Sequence, residues 1–136
     1  MQTIAEILEA ARGRGSIGGA ALRWQAEQDG TDEETVRARM GNALAVMRQS
    51  VLDGLNPELR SLSGRAGGQA AKLNAPGNAG RFGILGRACA YAVAVAESNA
   101  CMGKIVAAPT AGSCGILPGV LLAAQEQEGF TDGALV

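Results

Sequence analysis

Between Ile84 and Cys101 the chain is small and apolar almost all round, through Leu85, Ala88, Cys89, Ala90, Tyr91, Ala92, Val93, Ala94, Val95 and Ala96. A helix with no polar face has to be surrounded, so this run is expected at the centre of the fold with other elements arranged about it. Aromatic residues are only 3% of the chain against 47% apolar, and alanine and glycine supply much of the apolar total. The core is therefore expected to form from small residues whose backbones approach closely, not from large rings. Cys89 reads as a small buried thiol of this helix. Glu97, Ser98 and Asn99 place polar groups at its end, where they either satisfy buried backbone or reach a site.

Helical signals dominate upstream. Thr3 with Glu6 forms a capping box, and Ile4, Ile7, Leu8 and Ala11 recur at helical spacing until Gly13 and Gly15 stop the run. A second apolar stripe passes from Ile17 through Ala21 to Trp24 despite Gly18 and Gly19. Thr31 with Glu34 opens the clearest helix, with Val36, Met40, Ala43, Leu44, Met47 and Val51 as its expected buried stripe and Gly54 as its stop. From Leu55 to Gly83 the character changes to a long Gly-rich loop with a single helical turn around Gln69 to Leu73. That composition fits a mobile linker as well as a binding loop. On the second reading, Gly67 and Gly68 allow close backbone approach and Lys72 offers charge to a carboxylate.

Downstream, Lys104 to Gly119 packs a thiol, two hydroxyls and several glycines into one turn that hands over to a helix. Pro109 pushes Ala108 toward extended geometry, and Pro118 is tolerated only in the first turn of a helix. The stretch predicts a short buried strand, a glycine-rich loop, and a helix over Val120 to Glu126. Gly129 and Phe130 end that helix, and Thr131 and Asp132 open another. Loop amides and a helix N-terminus create positive potential around Cys114, a setting that favours thiolate. Thr110, Ala111, Gly112 and Ser113 are the candidate substrate-binding groups beside it. Cys101 reads as structural.

With 136 residues and no visible repeat, the expectation is one domain, residues 1–136, mainly α, with many helices, a long Gly-rich loop and a short extended segment before the Cys114 loop. A net charge of −1 gives no electrostatic case for nucleic acid, and few aromatic rings are present for base stacking. No apolar run approaches the ~20 residues that cross a bilayer, and Glu6 and Glu9 break the order of a secretory signal. A cytoplasmic setting follows, in which the three cysteines stay reduced. Histidine is absent, which excludes His-dependent triads and imidazole ligands from this chain. The spacing C-x11-C-x12-C matches neither a zinc ribbon nor a ferredoxin run.

The stretch from Asn99 through Cys101, Pro109, Thr110, Cys114 and Pro118 to Leu121 resembles the signature of the iron–sulfur-dependent L-serine dehydratases, specifically their alpha chain. Leu62 to Leu73 is similar to the glycine-rich element of that family, and the resemblance runs along essentially the whole chain. It implies deamination of L-serine to pyruvate and ammonia without pyridoxal phosphate, assisted by a [4Fe–4S] cluster, in a mainly helical domain. Cys114 matches a cluster-ligand position. The resemblance also implies a serine dehydratase beta chain as partner, assembly into an oligomer, and further cluster cysteines in a half that follows the signature. On that reading the present residues are the N-terminal portion of an alpha chain. No residue is assigned as general base, Lys104 and Glu97 being candidates from position alone. The residues by themselves leave open two other readings: a subunit piece that binds protein through an apolar face, and a thiol-dependent enzyme using Cys114 as nucleophile.

Overall fold

The structure, a computed structural model, describes residues 3–136, apart from the side chains of Arg14 and Ala79; Met1 and Gln2 lie outside the described residues. The chain is mainly α, as its periodicity predicts, and forms two compact units, residues 1–42 and 43–136.

In the first unit, α1 (Ile4–Arg14) packs on α2 (Ile17–Asp29). Both start at predicted or closely similar hydroxyl caps: Thr3 Oγ1 accepts from the Glu6 amide at 3.3 Å, and Ser16 Oγ from the Gly19 amide at 3.0 Å. Gly15 and Gly30 end them at φ +74° and +63°, where glycine alone is unstrained. The expected apolar stripes are only partly covered. Ile4, Leu8 and Ile17 are exposed, and in α2 it is Ala20 and Ala26 that are buried. The third helix, α3 (Glu33–Gly54), is capped by Asp32, whose Oδ1 accepts from the Thr35 amide at 2.7 Å, not by Thr31. The Thr35 amide, then its hydroxyl, hold the Asp32 carboxyl below the usual aspartate range. Along α3, Val36, Leu44, Met47 and Val51 are buried as predicted, whereas Met40 is exposed.

The second unit is built on α6 (Gly83–Ala100), one residue from its predicted limits. Its Ala90, Tyr91, Ala94 and Val95 join Leu44 and Val51 of α3, Ala70 of α4 (Gln69–Leu73), and Cys114, Leu122 and Ala123 in one buried cluster. α7 (Ile116–Glu128) lies on α6. It begins earlier than Val120 because Pro118, at its third position, is still in the first turn where a missing amide hydrogen costs nothing.

Glycines set these contacts. A side chain on Gly54 would strike the Ala94 carbonyl, one on Gly115 the Ala92 carbonyl, and one on Gly119 would stand 2.6 Å from the Ala88 oxygen. Gly54 thus ends α3 at a helix crossing, not as a left-handed cap. The surround is incomplete, however: Leu85 is 64% exposed and Cys89 is exposed, which corrects the expectation of a buried thiol there.

Two further departures concern the connections. The long loop is more ordered than its composition suggests, since α5 (Pro76–Ala79) and a 3₁₀ turn at Gly80–Phe82 follow α4. The buried strand expected before the Cys114 loop is not formed: among the described residues this segment pairs with no strand, is at most half-buried, and its Ala108–Pro109 peptide is cis. The last element, α8 (Asp132–Leu135), is tied down by Asp132, whose Oδ1 accepts from Arg48 Nη2 at 2.8 Å and from Gln125 Nε2 at 2.7 Å. No helix of the described residues is long and apolar enough to cross a membrane.

Candidate active site

The glycine-rich element is bonded to the C-terminal end of α6, and the chain leaves that end ten residues before the Cys114 turn. Glu97 is 6% exposed, and a buried carboxylate has to be paired. It is paired with backbone: Oε1 accepts from the amides of Gly67 (3.2 Å) and Gln69 (3.0 Å), and Oε2 from those of Gln69 (3.1 Å) and Ala70 (3.1 Å). Of the two readings open for Glu97, the geometry selects backbone satisfaction. With both oxygens so engaged, Glu97 is removed from the candidates for general base.

Gly67 and Gly68 have φ of +120° and +82°, and a side chain on Gly67 would strike the Leu59 carbonyl. The close approach that these glycines permit is to the chain's own Leu59–Arg60 backbone. Arg60, which the sequence did not single out, stands beside Gly68. Its Nη1 donates to the carbonyls of Pro57 (2.8 Å) and Leu59 (2.6 Å), and would lie 2.7 Å from a side chain on Gly68. Lys72 is exposed on α4, and its carbonyl accepts from Asn78 Nδ2 at 2.8 Å.

After α6 the chain turns sharply. The Cys101 amide donates to the carbonyls of Glu97 and Ser98, and that of Gly103 to Ser98 at 2.8 Å. Met102 takes a left-handed φ of +67° within this corner, and a side chain on Gly103 would collide with Ser98 Oγ. Cys101 Sγ faces the Ala66 carbonyl at 4.0 Å, so the corner touches the glycine-rich element a second time.

The following residues lead, through an extended Thr110, to a 3₁₀ turn, Ala111–Ser113, which caps itself. Thr110 Oγ1 accepts from the Ser113 amide, Ser113 Oγ accepts from the Thr110 amide, both at 3.3 Å, and Ser113 Oγ reaches the Ala108 carbonyl at 3.0 Å. The hydroxyls hold the loop's shape while Thr110, Ala111 and Gly112 face solvent. Gly112 has open space around it, a side chain there coming no closer than 3.8 Å to Thr110 Oγ1. Cys114 follows at the base of the loop, 2% exposed within the core cluster. Among the described residues no hydrogen bond or ion pair joins Lys72 to Thr110–Ser113.

A four-iron cluster requires several thiolates. Cys114 is buried, Cys101 half-buried and Cys89 exposed, and among the described residues no group of three or more His, Cys, Asp or Glu converges. The described residues therefore do not fit a whole cluster; they offer one sulfur at the loop base.

Comparison with known proteins is consistent along the chain. Residues 3–136 match the family model of the serine dehydratase alpha chain. The chain is 34% identical over 134 residues to the L-serine dehydratase alpha chain of Peptoniphilus asaccharolyticus, covering 96% of this chain and 46% of the relative. It is 40% identical over 98 residues to the probable L-serine dehydratase alpha chain of Bacillus subtilis, covering 70% and 32% respectively. To the L-serine dehydratase of Streptomyces coelicolor it is 34% identical over 121 residues, 85% of this chain and 26% of that one. The chain thus spans about half or less of the length of these relatives. No solved structure matches it significantly.

Proposed function

This chain belongs to the serine dehydratase alpha-chain family, and on that premise we propose that it serves the deamination of L-serine to pyruvate and ammonia, as part of an alpha chain working with a beta chain in an oligomer. The supporting observation is the Lys104–Gly119 segment: a lead without regular structure, a self-capped exposed turn and a helix start with a buried thiol at the joint. It stands in a chain whose relatives are named for that activity.

The reaction needs three services from protein. The β-hydroxyl must leave as water, the α-proton must be taken, and the amino acid must be held by its carboxylate. Loss of water gives aminoacrylate, which tautomerises to an imine and takes up water to release ammonia and pyruvate. For holding the carboxylate, the exposed turn Thr110–Ser113 is the proposed group, through its Ala111 and Gly112 amides, since those of Thr110 and Ser113 are taken by each other's hydroxyls; Lys72, exposed on α4, is the proposed cation. We assign Cys114 as this chain's single ligand to an iron–sulfur centre whose remaining ligands lie outside the described residues. Such a centre would supply Lewis acidity toward the leaving hydroxyl. Lys104 remains the positional candidate for the base.

Use of Cys114 as a direct nucleophile is disfavoured by its 2% exposure. The test is anaerobic co-expression with a beta chain and the remainder of an alpha chain, followed by pyruvate release from L-serine and iron content. Cys114→Ser is expected to lower both. Full iron and full turnover in that variant would remove Cys114 from the site. Iodoacetamide on the unassembled chain should label Cys89 well before Cys114.

A further inference from the structure

We infer that Glu97 is a positioning residue, and that the carboxylate recognised by the glycine-rich loop is its own and not the substrate's; this rests on the serine-deaminating reading above. The loop amides that a substrate carboxylate would use are those of Gly67, Gln69 and Ala70, and all three donate to Glu97. Gly67 and Gly68 have positive φ values, and the amides of Gly67, Gln69 and Ala70 turn toward one point, the arrangement that binds an anion. In this chain that anion is covalently attached to α6. Ala70, fully buried, seals the inner side.

The backbone at this end of α6 holds more than the loop. The Glu97 carbonyl, with that of Ser98, receives the Cys101 amide, the Ser98 carbonyl receives the Gly103 amide, and Cys101 Sγ meets the Ala66 carbonyl. One corner of α6 therefore fixes both the glycine-rich element and the first residue of the lead into the Cys114 loop. Loss of the carboxylate leaves buried amides unpaired, and the structure relaxes by releasing the loop. Substrate recognition then falls to the other loop, Thr110–Ser113, where Ala111 and Gly112 are exposed.

The experiment combines hydrogen exchange on the full chain with serine turnover in the assembled enzyme, using Glu97→Ala, Glu97→Gln and formate as a free carboxylate. Glu97→Ala should speed exchange at Gly67, Gln69 and Ala70 by about 10- to 100-fold, the size of a lost charge-assisted hydrogen bond, and at Gly103 by less. Formate should restore protection in that variant and leave the wild type unchanged. In turnover, Glu97→Ala should lose kcat, and formate should recover part of it without competing with L-serine.

Where Glu97→Ala does not fold, Glu97→Gln retains one acceptor oxygen, so exchange should rise on the Gly67 side or the Ala70 side but not both. Wild-type exchange rates at these amides in the variants, or an unchanged Gly103 amide, would overturn the inference. Competition between formate and L-serine in Glu97→Ala would do so as well, by making the loop the substrate's site. A wild-type assembly that does not act on L-serine defeats the proposed function alone, since the exchange result stands without turnover.

Discussion

Gly13, Gly18 and Gly41 stand in helices of the first unit with nothing within 4 Å of where a side chain would go, whereas Gly54, Gly115 and Gly119 of the second press directly on the backbone of α6. The same residue type does opposite things. In residues 3–42, glycine within a helix only adds chain entropy that folding must remove. In residues 43–136 it lets helices approach until backbone meets backbone, which is how a chain nearly without aromatic rings fills a core. The ion pairs also differ in reach: in the first unit Arg23 pairs with Glu27 one turn away and Arg39 with Asp29 ten residues away, and in the second Arg48 pairs with Asp132 across 84 residues.

The largest effect follows from adding one methyl group on each side of that comparison. Gly54→Ala and Gly119→Ala place a carbon against a backbone carbonyl that has no rotamer to yield. Overpacking of this kind costs about 3 kcal/mol or more, roughly 10 °C in melting temperature. Gly41→Ala, in open space in the middle of α3, should instead stabilise by about 0.5–1 kcal/mol. Thermal unfolding of the three variants checks both signs, and a stabilised Gly119→Ala would break the comparison.

Tyr91 gives the next largest effect. Its hydroxyl donates to Glu126 Oε1 at 2.6 Å, joining α6 to α7, while Arg87 Nη1 donates to Glu126 Oε2 at 3.1 Å. Burial first, then the bond to Glu126, push the phenol above its usual range. An acid raised in the folded state contributes stability that is present below its unfolded value of about 10 and is lost as pH rises through the folded value. Denaturant midpoints from pH 8 to 11 should therefore fall with rising pH. Tyr91→Phe should lose about 1 kcal/mol at neutral pH, and that alkaline slope should flatten. A slope that survives the substitution would separate Tyr91 from the effect.

The contrast between the units also explains what the sequence disclosed. Local rules located α6 to within a residue and α4 at its observed limits, because breakers at Gly67–Gly68 and the change of pattern at Gly83 are visible in a few residues. Thr31 and Asp32 are both good caps, and only the formed turn shows that Asp32 takes the Thr35 amide. Periodicity marks a stripe but not its covered width, so Met40 and Cys89 were expected inside and lie outside. The motif around Cys114 was readable from its residues. The partner of Glu97 was not, because it lies 27–30 residues back and consists of backbone amides that carry no side-chain signature. A lone carboxylate closing an apolar helix was the available signal, since a buried charge demands a partner.

The smallest effect tests whether distance along the chain matters at the surface. Asp132 is held below the usual aspartate range first by the Arg48 hydrogen bond and then by Gln125. Its contribution is therefore present above the unfolded value and lost as pH falls through the lower folded one. The pair is solvent-exposed, and such pairs add little to global stability. Its leverage is expected to be local: α8 is short, its Leu135 and the following Val136 pack against the core, and Asp132 ties that helix to α3 and α7. Asp132→Asn should leave the melting temperature nearly unchanged yet speed amide exchange at Ala134 and Val136, as should lowering the pH below the ordinary aspartate range. Arg23→Gln, which breaks a pair one turn apart in α2, should change neither quantity, because the helix backbone already holds both ends together. Equal effects from the two variants would mean that the long-range pair anchors nothing that the chain does not already hold.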